Sequence, residues 1–331
     1  MARYKLTVAI PTYNRPTQLR HTLSIVLPQI LAHDDVQLLL LDNCSPIPAA
    51  KVLEEVANGV CLPERIKVVR HPSNIGGNPN IIRCFELAEG DWLWCLSDDD
   101  EPASDAINII LSDCRDGSHC YAFYGLFKDV PDVRDCRDRK YKGTSIEEWI
   151  RRIPAYGHRL FISSAIFNLN VLLKYLPVAY QVAISGAPHL TMAFLAILNG
   201  STYLLSSQSI ASYCSPVKGA GYNCAPLAYG SISLLALIGT AYSYDDFRRF
   251  YGDSFAEWIS PFRLLADTIR LHGYMSGRHT HRCFAMIAMQ FKPTIVDDPK
   301  SWLRWRICEW FSYSPKIFMR IIEWRYSRTI C

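Results

Sequence analysis

Three adjacent aspartates, Asp98, Asp99 and Asp100, followed by Glu101 and Pro102, carry the densest chemistry in this chain. Neighbouring carboxylates repel one another and cost stability unless something positive binds them. In an extended chain Asp98 and Asp100 point to one side and Asp99 to the other. Two carboxylates on one side suit a hard divalent cation, and such a cation holds a diphosphate. The same triplet also reads as a solvated loop whose acids precede a helix starting at Ser104 or Asp105. The residues before it favour the first reading. A turn signal, Gly90-Asp91, opens the apolar run Trp92–Leu96, which is expected to be a strand buried on both faces and ending in the acids.

The elements upstream repeat this arrangement. Leu6–Ile10 is a short β-branched run expected to stop at Pro11, with Pro11-Thr12-Tyr13-Asn14-Arg15-Pro16 as a loop. Thr17 is expected to cap a helix with Leu19, Leu23, Val26 and Leu27 on its apolar face. Val36–Leu41 is a second apolar strand ending in Asp42-Asn43, and a helix follows from Ala49 to Ala57. Ile66–Val69 is a third strand, leading into Asn74-Ile75-Gly76-Gly77. The next helix runs from Pro79 to Ala88 and offers Ile81, Ile82, Phe85 and Leu87 for packing. Alternation of strand and helix predicts a mostly parallel sheet with helices on both faces, that is, an α/β fold. Ligands bind such sheets at the C-terminal strand ends. Thr12, Asp42, Asn74 and Asp98 should therefore meet in one crevice. There Asp42 could accept hydrogen bonds from a nucleobase or ribose. Arg15 offers a fork of donors to a phosphate or to an acid of the loop. Gly76 and Gly77 let backbone approach an anion at a helix start.

Composition sets outer limits. The chain has 331 residues, half of them hydrophobic and a fifth charged, enough for a substantial core. A formal charge of +4 is too small and diffuse to argue for nucleic acid. The cysteines are scattered, with no C-x-x-C pair, so a structural zinc site is not expected. Met-Ala-Arg-Tyr-Lys leads straight into a strand with no signal peptide, which predicts reduced thiols and a cytoplasmic protein. The apolar stretch Ser231–Ala241 is too short to span a bilayer.

These motifs, in this order, resemble the family 2 glycosyltransferases of GT-A fold. Val8-Ala9-Ile10-Pro11-Thr12-Tyr13-Asn14-Arg15 is similar to the family's opening, and Leu40-Leu41-Asp42-Asn43-Cys44-Ser45 to its second motif. Asn74-Ile75-Gly76-Gly77-Asn78-Pro79-Asn80 resembles its Asn-x-Gly segment, and Ser97-Asp98-Asp99-Asp100 its metal-binding DXD position. The resemblance is close over about residues 5–105 and weaker to about 215. It implies a nucleotide-diphosphate-sugar donor, Mg²⁺ or Mn²⁺, and inversion at the anomeric carbon. By position, Pro11, Thr12, Tyr13 and Arg15 would line the nucleotide site, together with Asn74, Gly76 and Gly77. Asp42 would read the base, and Asp98 would touch ribose or a metal-bound water. Asp100 is the preferred metal ligand, with Asp98 beside it and Asp99 as the next choice. The family's common occupation implies a saccharide or lipid-linked acceptor in bacterial surface polysaccharide synthesis, such as an O-antigen unit.

Inversion requires a general base for the acceptor hydroxyl. The family's Glu-Asp pair has no counterpart here, because no acid lies between Glu148 and Asp245. Pro188-His189 falls at the matching place, ahead of an apolar helix over 190–198 and beyond a strand over 161–167. His189 is the expected base and Glu101 the alternative. His158 and Arg159 are further candidates for phosphate or acceptor contact, and 129–142 reads as a charged surface loop. The missing pair keeps open a degenerate nucleotide-sugar or carbohydrate-binding protein. A nucleotidyltransferase is the other alternative, although the Gly-rich loop usual after its first strand is absent. Residues 1–215 are expected to form the catalytic domain and 216–331 a helical extension, with helices over 234–242, 245–251, 261–272 and 279–291. The last stretch, 300–331, holds seven Lys or Arg against two Glu, and four of the eight tryptophans. That mixture suits an anionic membrane surface at the inner face of the cytoplasmic membrane. A helix packed on the core, or a contact between copies in a homo-oligomer, would use the same residues.

Overall fold

The computed structural model describes residues 3–125, 140–152, 160–183, 187–214, 260–272, 277–291 and 299–327. The candidates His158 and Arg159, most of the charged loop over 129–142, and the helices expected over 234–242 and 245–251 lie outside these residues. The chain forms two compact units, one of residues 1–183 with 187–220 and the other of 221–331 with 184–186.

The first unit begins β1 (Tyr4–Thr12), α1 (Pro16–Leu31), β2 (Val36–Asp42), α2 (Ala49–Ala57), β3 (Ile66–Arg70), α3 (Gly77–Leu87) and β4 (Gly90–Cys95). It continues with β5 (Glu101–Pro102), α4 (Ala106–Asp113), β6 (His119–Tyr124), β7 (Lys140–Gly143), α5 (Ile146–Arg152) and β8 (Ala165–Asn168). Helices α6 (Leu169–Leu172), α7 (Leu176–Gln181) and α8 (Pro188–Leu198) and strands β9 (Thr202–Ser206) and β10 (Ala211–Ser212) complete it. Eight strands make one sheet in the order β3-β2-β1-β4-β8-β6-β9-β7, and β5 pairs with β10 separately. The four strands from β3 to β4 are parallel, whereas β8 runs antiparallel to both its neighbours. Every residue of β2 is buried, as its unbroken apolar run requires.

The boundaries depart from the sequence expectations for physical reasons. β1 continues through Pro11 to Thr12, in register with Leu41 and Asp42. Ala9 gives its carbonyl to Leu96 of the β4 side, and that ladder ends there. Pro11 faces the same side by strand alternation, so its missing N–H has no partner to lose. α1 starts at Pro16 rather than at a Thr17 cap, because proline suits the first helical position. α3 starts at Gly77, behind Gly76 with a φ of 91°, a left-handed conformation that glycine adopts without strain. In its core face Asn80 and Cys84 join Ile82 and Phe85, while Ile81 and Leu87 are only partly covered. Gly90 has no room for a side chain, since a Cβ there would lie 2.7 Å from the Thr7 nitrogen. The strand expected over 161–167 is shorter, with a 3₁₀ turn at Ile162–Ser164 before β8.

The described part of the second unit is four helices, α9 (Pro261–His272), α10 (Gly277–Phe291), α11 (Pro299–Ser312) and α12 (Pro315–Ser327). Phe284 stacks on Trp305 at 5.6 Å, and Phe311 meets Phe318 at 5.8 Å. Pro315 breaks the C-terminal stretch into two helices by taking the first position of the second. No helix among the described residues is long and apolar enough to cross a membrane.

Candidate active site

The C-terminal ends of β3, β2, β1 and β4 lie side by side, with Thr12, Asp42 and Arg70 on one line of register. The chain order along the sheet reverses between β1 and β4, which makes the gap beyond Thr12 a topological switch point. Across that gap the Thr12 hydroxyl donates to Asp98 Oδ2 at 2.6 Å. Arg15 Nη1 donates to Asp98 Oδ1 at 3.2 Å and to Asp99 Oδ2 at 2.5 Å. Of the two partners the sequence allowed for this guanidinium, phosphate or acid, the structure shows the acid.

The acidic loop is held from two further directions. From α1, Thr22 donates its hydroxyl to the carbonyls of Asp98 (3.1 Å) and Asp100 (3.0 Å). Gln29, farther along the same helix, donates to the Ala103 carbonyl at 2.9 Å. From the 3₁₀ turn, Ser163 Oγ donates to Asp100 Oδ2 at 2.6 Å and accepts the Ser97 N–H at 2.9 Å. The Ser163 carbonyl accepts the Trp94 indole N–H at 2.8 Å. The first half of the expected strand thus turns its polar groups to the loop and to Trp94 of β4. The backbone N–H of Cys214, just past β10, also serves Asp100.

Electrostatics follow from this packing. Asp98 is 4 % exposed and Asp100 3 %. Burial pushes the Asp98 carboxyl up to about 6 and Asp99 adds to it, against the Thr12 hydrogen bond and the charge of Arg15. Burial likewise pushes Asp100 up to about 6, reinforced by Asp99 and Asp98 and opposed by Ser163 and the Cys214 N–H. Burial works against the charge of Arg15, but Asp98 and Asp99 raise its pKa on balance. Asp100 takes part in no ion pair among the described residues. The loop is thus a set of buried oxygen donors short of positive charge, and this fits Mg²⁺ or Mn²⁺. No three His, Cys, Asp or Glu side chains among the described residues are arranged to enclose a metal alone. The fit is therefore to a cation that keeps water or phosphate oxygens in its shell.

A second cluster joins the ends of β2 and β3. Asp42 is fully buried. Its Oδ1 accepts the Ser45 N–H at 2.7 Å, its Oδ2 accepts the Ala49 N–H at 3.1 Å, and Arg70 pairs with it. Burial alone would raise this carboxyl, but the Ser45 and Ala49 donors and Arg70 together hold it below the ordinary carboxylate range. Asp42, expected to read a base, is therefore committed as the cap of α2. The neighbouring Asn43 reaches outward instead. It donates to Asn74 Oδ1 (2.8 Å) and the Gly76 carbonyl (3.2 Å) and accepts the Ile75 N–H (2.9 Å). Asn74 also accepts the Gly76 N–H at 2.8 Å. Asn80, buried in α3, donates to the Leu41 carbonyl (3.3 Å) and meets His71 (2.9 Å). The Asn14 N–H donates to the Ser45 hydroxyl at 3.0 Å and links the two clusters. Tyr13 is exposed beside this link, Pro11 is half-buried, and Gly77 opens α3.

Sequence reasoning missed Thr22, Asn43, Arg70 and Ser163. Asn43 stood next to a motif residue. The other three carry no local signal, because their partners are distant in the chain.

The structure places His189, the expected base, away from solvent. It is buried on α8 with its ring edge-on to Phe167 at 6.0 Å, and neither nitrogen has a partner among the described residues. Burial pushes its pKa down to about 3, so it is neutral at neutral pH and too weakly basic to hold a proton. Glu101, by contrast, is exposed on β5 opposite Ser212.

Comparison with known proteins bears on the fold. Abequosyltransferase RfbV of Salmonella typhimurium is 29 % identical over 105 residues, which are 32 % of this chain and 31 % of that protein. The match thus spans about a third of the relative's length. Among solved structures, S. aureus TarS 1–349 superposes with a TM-score of 0.57 at 13 % identity, covering 91 % of both chains. The Pyrobaculum calidifontis mannosyltransferase PcManGT, in complex with GDP-Man and Mn²⁺, gives 0.52 at 13 % identity, covering 95 % of this chain and 87 % of that one. These likenesses establish the mostly parallel GT-A architecture. Residues 7–163, which hold the paired side chains of both clusters, match the model of Glycosyl transferase family 2.

Proposed function

We propose that this protein is a metal-dependent, inverting glycosyltransferase of surface polysaccharide synthesis. It moves a sugar from a nucleotide-diphosphate donor to a saccharide or lipid-linked acceptor. The observation that carries this reading is the buried, cation-deficient carboxylate pair Asp98 and Asp100 at the switch point of the sheet. Relatives lend support. RfbV is named an abequosyltransferase, TarS has been solved with UDP-GlcNAc and with UDP, and PcManGT with GDP-Man and Mn²⁺.

Asp100 and Asp98 would hold Mg²⁺ or Mn²⁺, whose bound charge offsets the negative charge of a departing nucleoside diphosphate. Thr12, Thr22 and Ser163 fix the carboxylates so that no reorganisation is needed when the donor arrives. Arg15 pairs with Asp98 and Asp99 and offers its remaining N–H groups to phosphate. Pro11, Tyr13, Asn74, Gly76 and Gly77 line the nucleotide side, with Asn43 holding the Asn74–Gly76 loop in place. Asp42 supports that wall by capping α2. Glu101 takes the proton of the acceptor hydroxyl as it attacks.

The test is titration with UDP-, GDP- and CDP-sugars with and without Mn²⁺, together with nucleotide release. Asp100→Ala is expected to abolish the Mn²⁺-dependent part of binding. Glu101→Gln is expected to keep binding and lose about 10²-fold or more in turnover. Unchanged metal dependence in Asp100→Ala would remove the metal assignment. The buried, neutral His189 and the lack of any acid between Glu148 and Asp245 favour one second reading, a binding protein without turnover. Wild-type binding with no nucleotide release on any acceptor would select it.

A further inference from the structure

We infer that helices α11 and α12 form a docking surface for an anionic lipid bilayer. Helix α12 has an inward face, with Phe318 and Met319 buried. It also has an outward apolar stripe, Ile317, Ile321 and Trp324, at the i, i+4, i+7 spacing of one helix face. Ile317 and Trp324 are each 57 % exposed, far more than core packing leaves. Arg320 and Lys316 flank that stripe on one side, both exposed. Helix α11 repeats the arrangement. Trp305, Cys308 and Ser312 are buried, and Trp302, Arg306 and Trp310 occupy the opposite face at i, i+4, i+8. Trp310 is 71 % exposed, and the Arg306 guanidinium lies 5.8 Å from the Trp302 ring centre.

Scattered apolar side chains on a surface need no explanation, but concentration does. Of the fifteen exposed large apolar side chains among the described residues, seven fall within 302–324. Their chemistry selects the occupant. A protein core would match the apolar stripes but not their basic borders. Tryptophan and isoleucine beside arginine and lysine suit the headgroup–acyl boundary, where rings and aliphatic chains enter and cations meet lipid phosphates. The two acids on these helices offset only part of this charge: Glu309 pairs with Arg306 at 2.9 Å, and the one Glu323 is set against two cations of α12, Lys316 and Arg320.

The experiment is co-sedimentation of the full chain with phosphatidylcholine vesicles, with and without phosphatidylglycerol, alongside light scattering for oligomeric state. Binding is expected only to the anionic vesicles and should fall as salt rises. Lys316→Gln with Arg320→Gln should weaken it about thirtyfold. Ile317→Ser with Trp324→Ser should also weaken it, while circular dichroism stays that of the wild type, since these side chains are outside the core. Wild-type vesicle binding by both double variants, or no binding by the parent, overturns the proposal. A dimer that Ile317→Ser with Trp324→Ser dissociates, without any effect on vesicles, assigns the surface to a second copy instead.

Discussion

Replacing Asp42 separates two roles that its motif position leaves entangled. If its carboxylate contacts a nucleobase, Asp42→Ala weakens nucleotide binding and leaves the fold alone. The geometry predicts the opposite emphasis. Asp42 accepts two buried backbone N–H groups, from Ser45 and Ala49, and pairs with the half-exposed Arg70. Leaving two buried donors unsatisfied costs ~1–3 kcal/mol each, and the ion pair adds at most ~1 because Arg70 reaches solvent. The expected loss is about 3–4 kcal/mol, near 1 M in urea midpoint for a slope of ~3 kcal/mol/M. The pH dependence has a defined sign. Its folded pKa lies below the ordinary value of 3.8, so its contribution is present above that pH and is lost as pH falls through the folded pKa. The midpoints of wild type and Asp42→Ala should therefore converge only under strongly acid conditions. Urea unfolding followed by tryptophan fluorescence measures the first effect at neutral pH and the second in a series of pH values descending below 3.8. A wild-type midpoint in Asp42→Ala combined with weakened nucleotide binding would falsify the capping argument.

Two other substitutions probe the rest of the site. Ser163→Ala strands the Ser97 N–H and removes a donor from Asp100, so it should cost ~1–3 kcal/mol and lower Mn²⁺ affinity; Mn²⁺ titration of a folded Ser163→Ala protein at wild-type affinity would contradict it. His189→Leu removes a buried polar ring with no partner among the described residues, so thermal stability should hold or rise with turnover unchanged; a large fall in kcat alone would return His189 to the mechanism.

The alternation of apolar runs with Gly, Pro, Asn and Asp made the parallel half of the sheet legible. Each run is local, and burial on both faces leaves an unbroken apolar signature such as Val36–Leu41. The antiparallel insertion of β8 between β4 and β6 was not legible, because strand order depends on contacts between distant segments. The same distinction holds in the site. Thr12, Arg15 and Asp98–Asp100 declared themselves through residue type at strand ends. Whether a carboxylate there is open or already used is settled by partners that composition cannot reveal. Asp42 and Asp98 look alike in sequence; one caps a helix beside Arg70, and the other meets Thr12 and Arg15.

The sequence by itself determined the alternating α/β plan, the strand ends that carry polar residues, and the acidic triplet that follows β4. Periodicity and residue chemistry are properties of neighbouring residues, and neighbours are what a sequence records. Only the tertiary structure decided what faces that triplet. It brought Thr22 and Ser163 onto the loop from 76 and 63 residues away in the chain, and it buried His189 against Phe167. Desolvation and hydrogen bonding depend on which groups share a volume. That is fixed by packing.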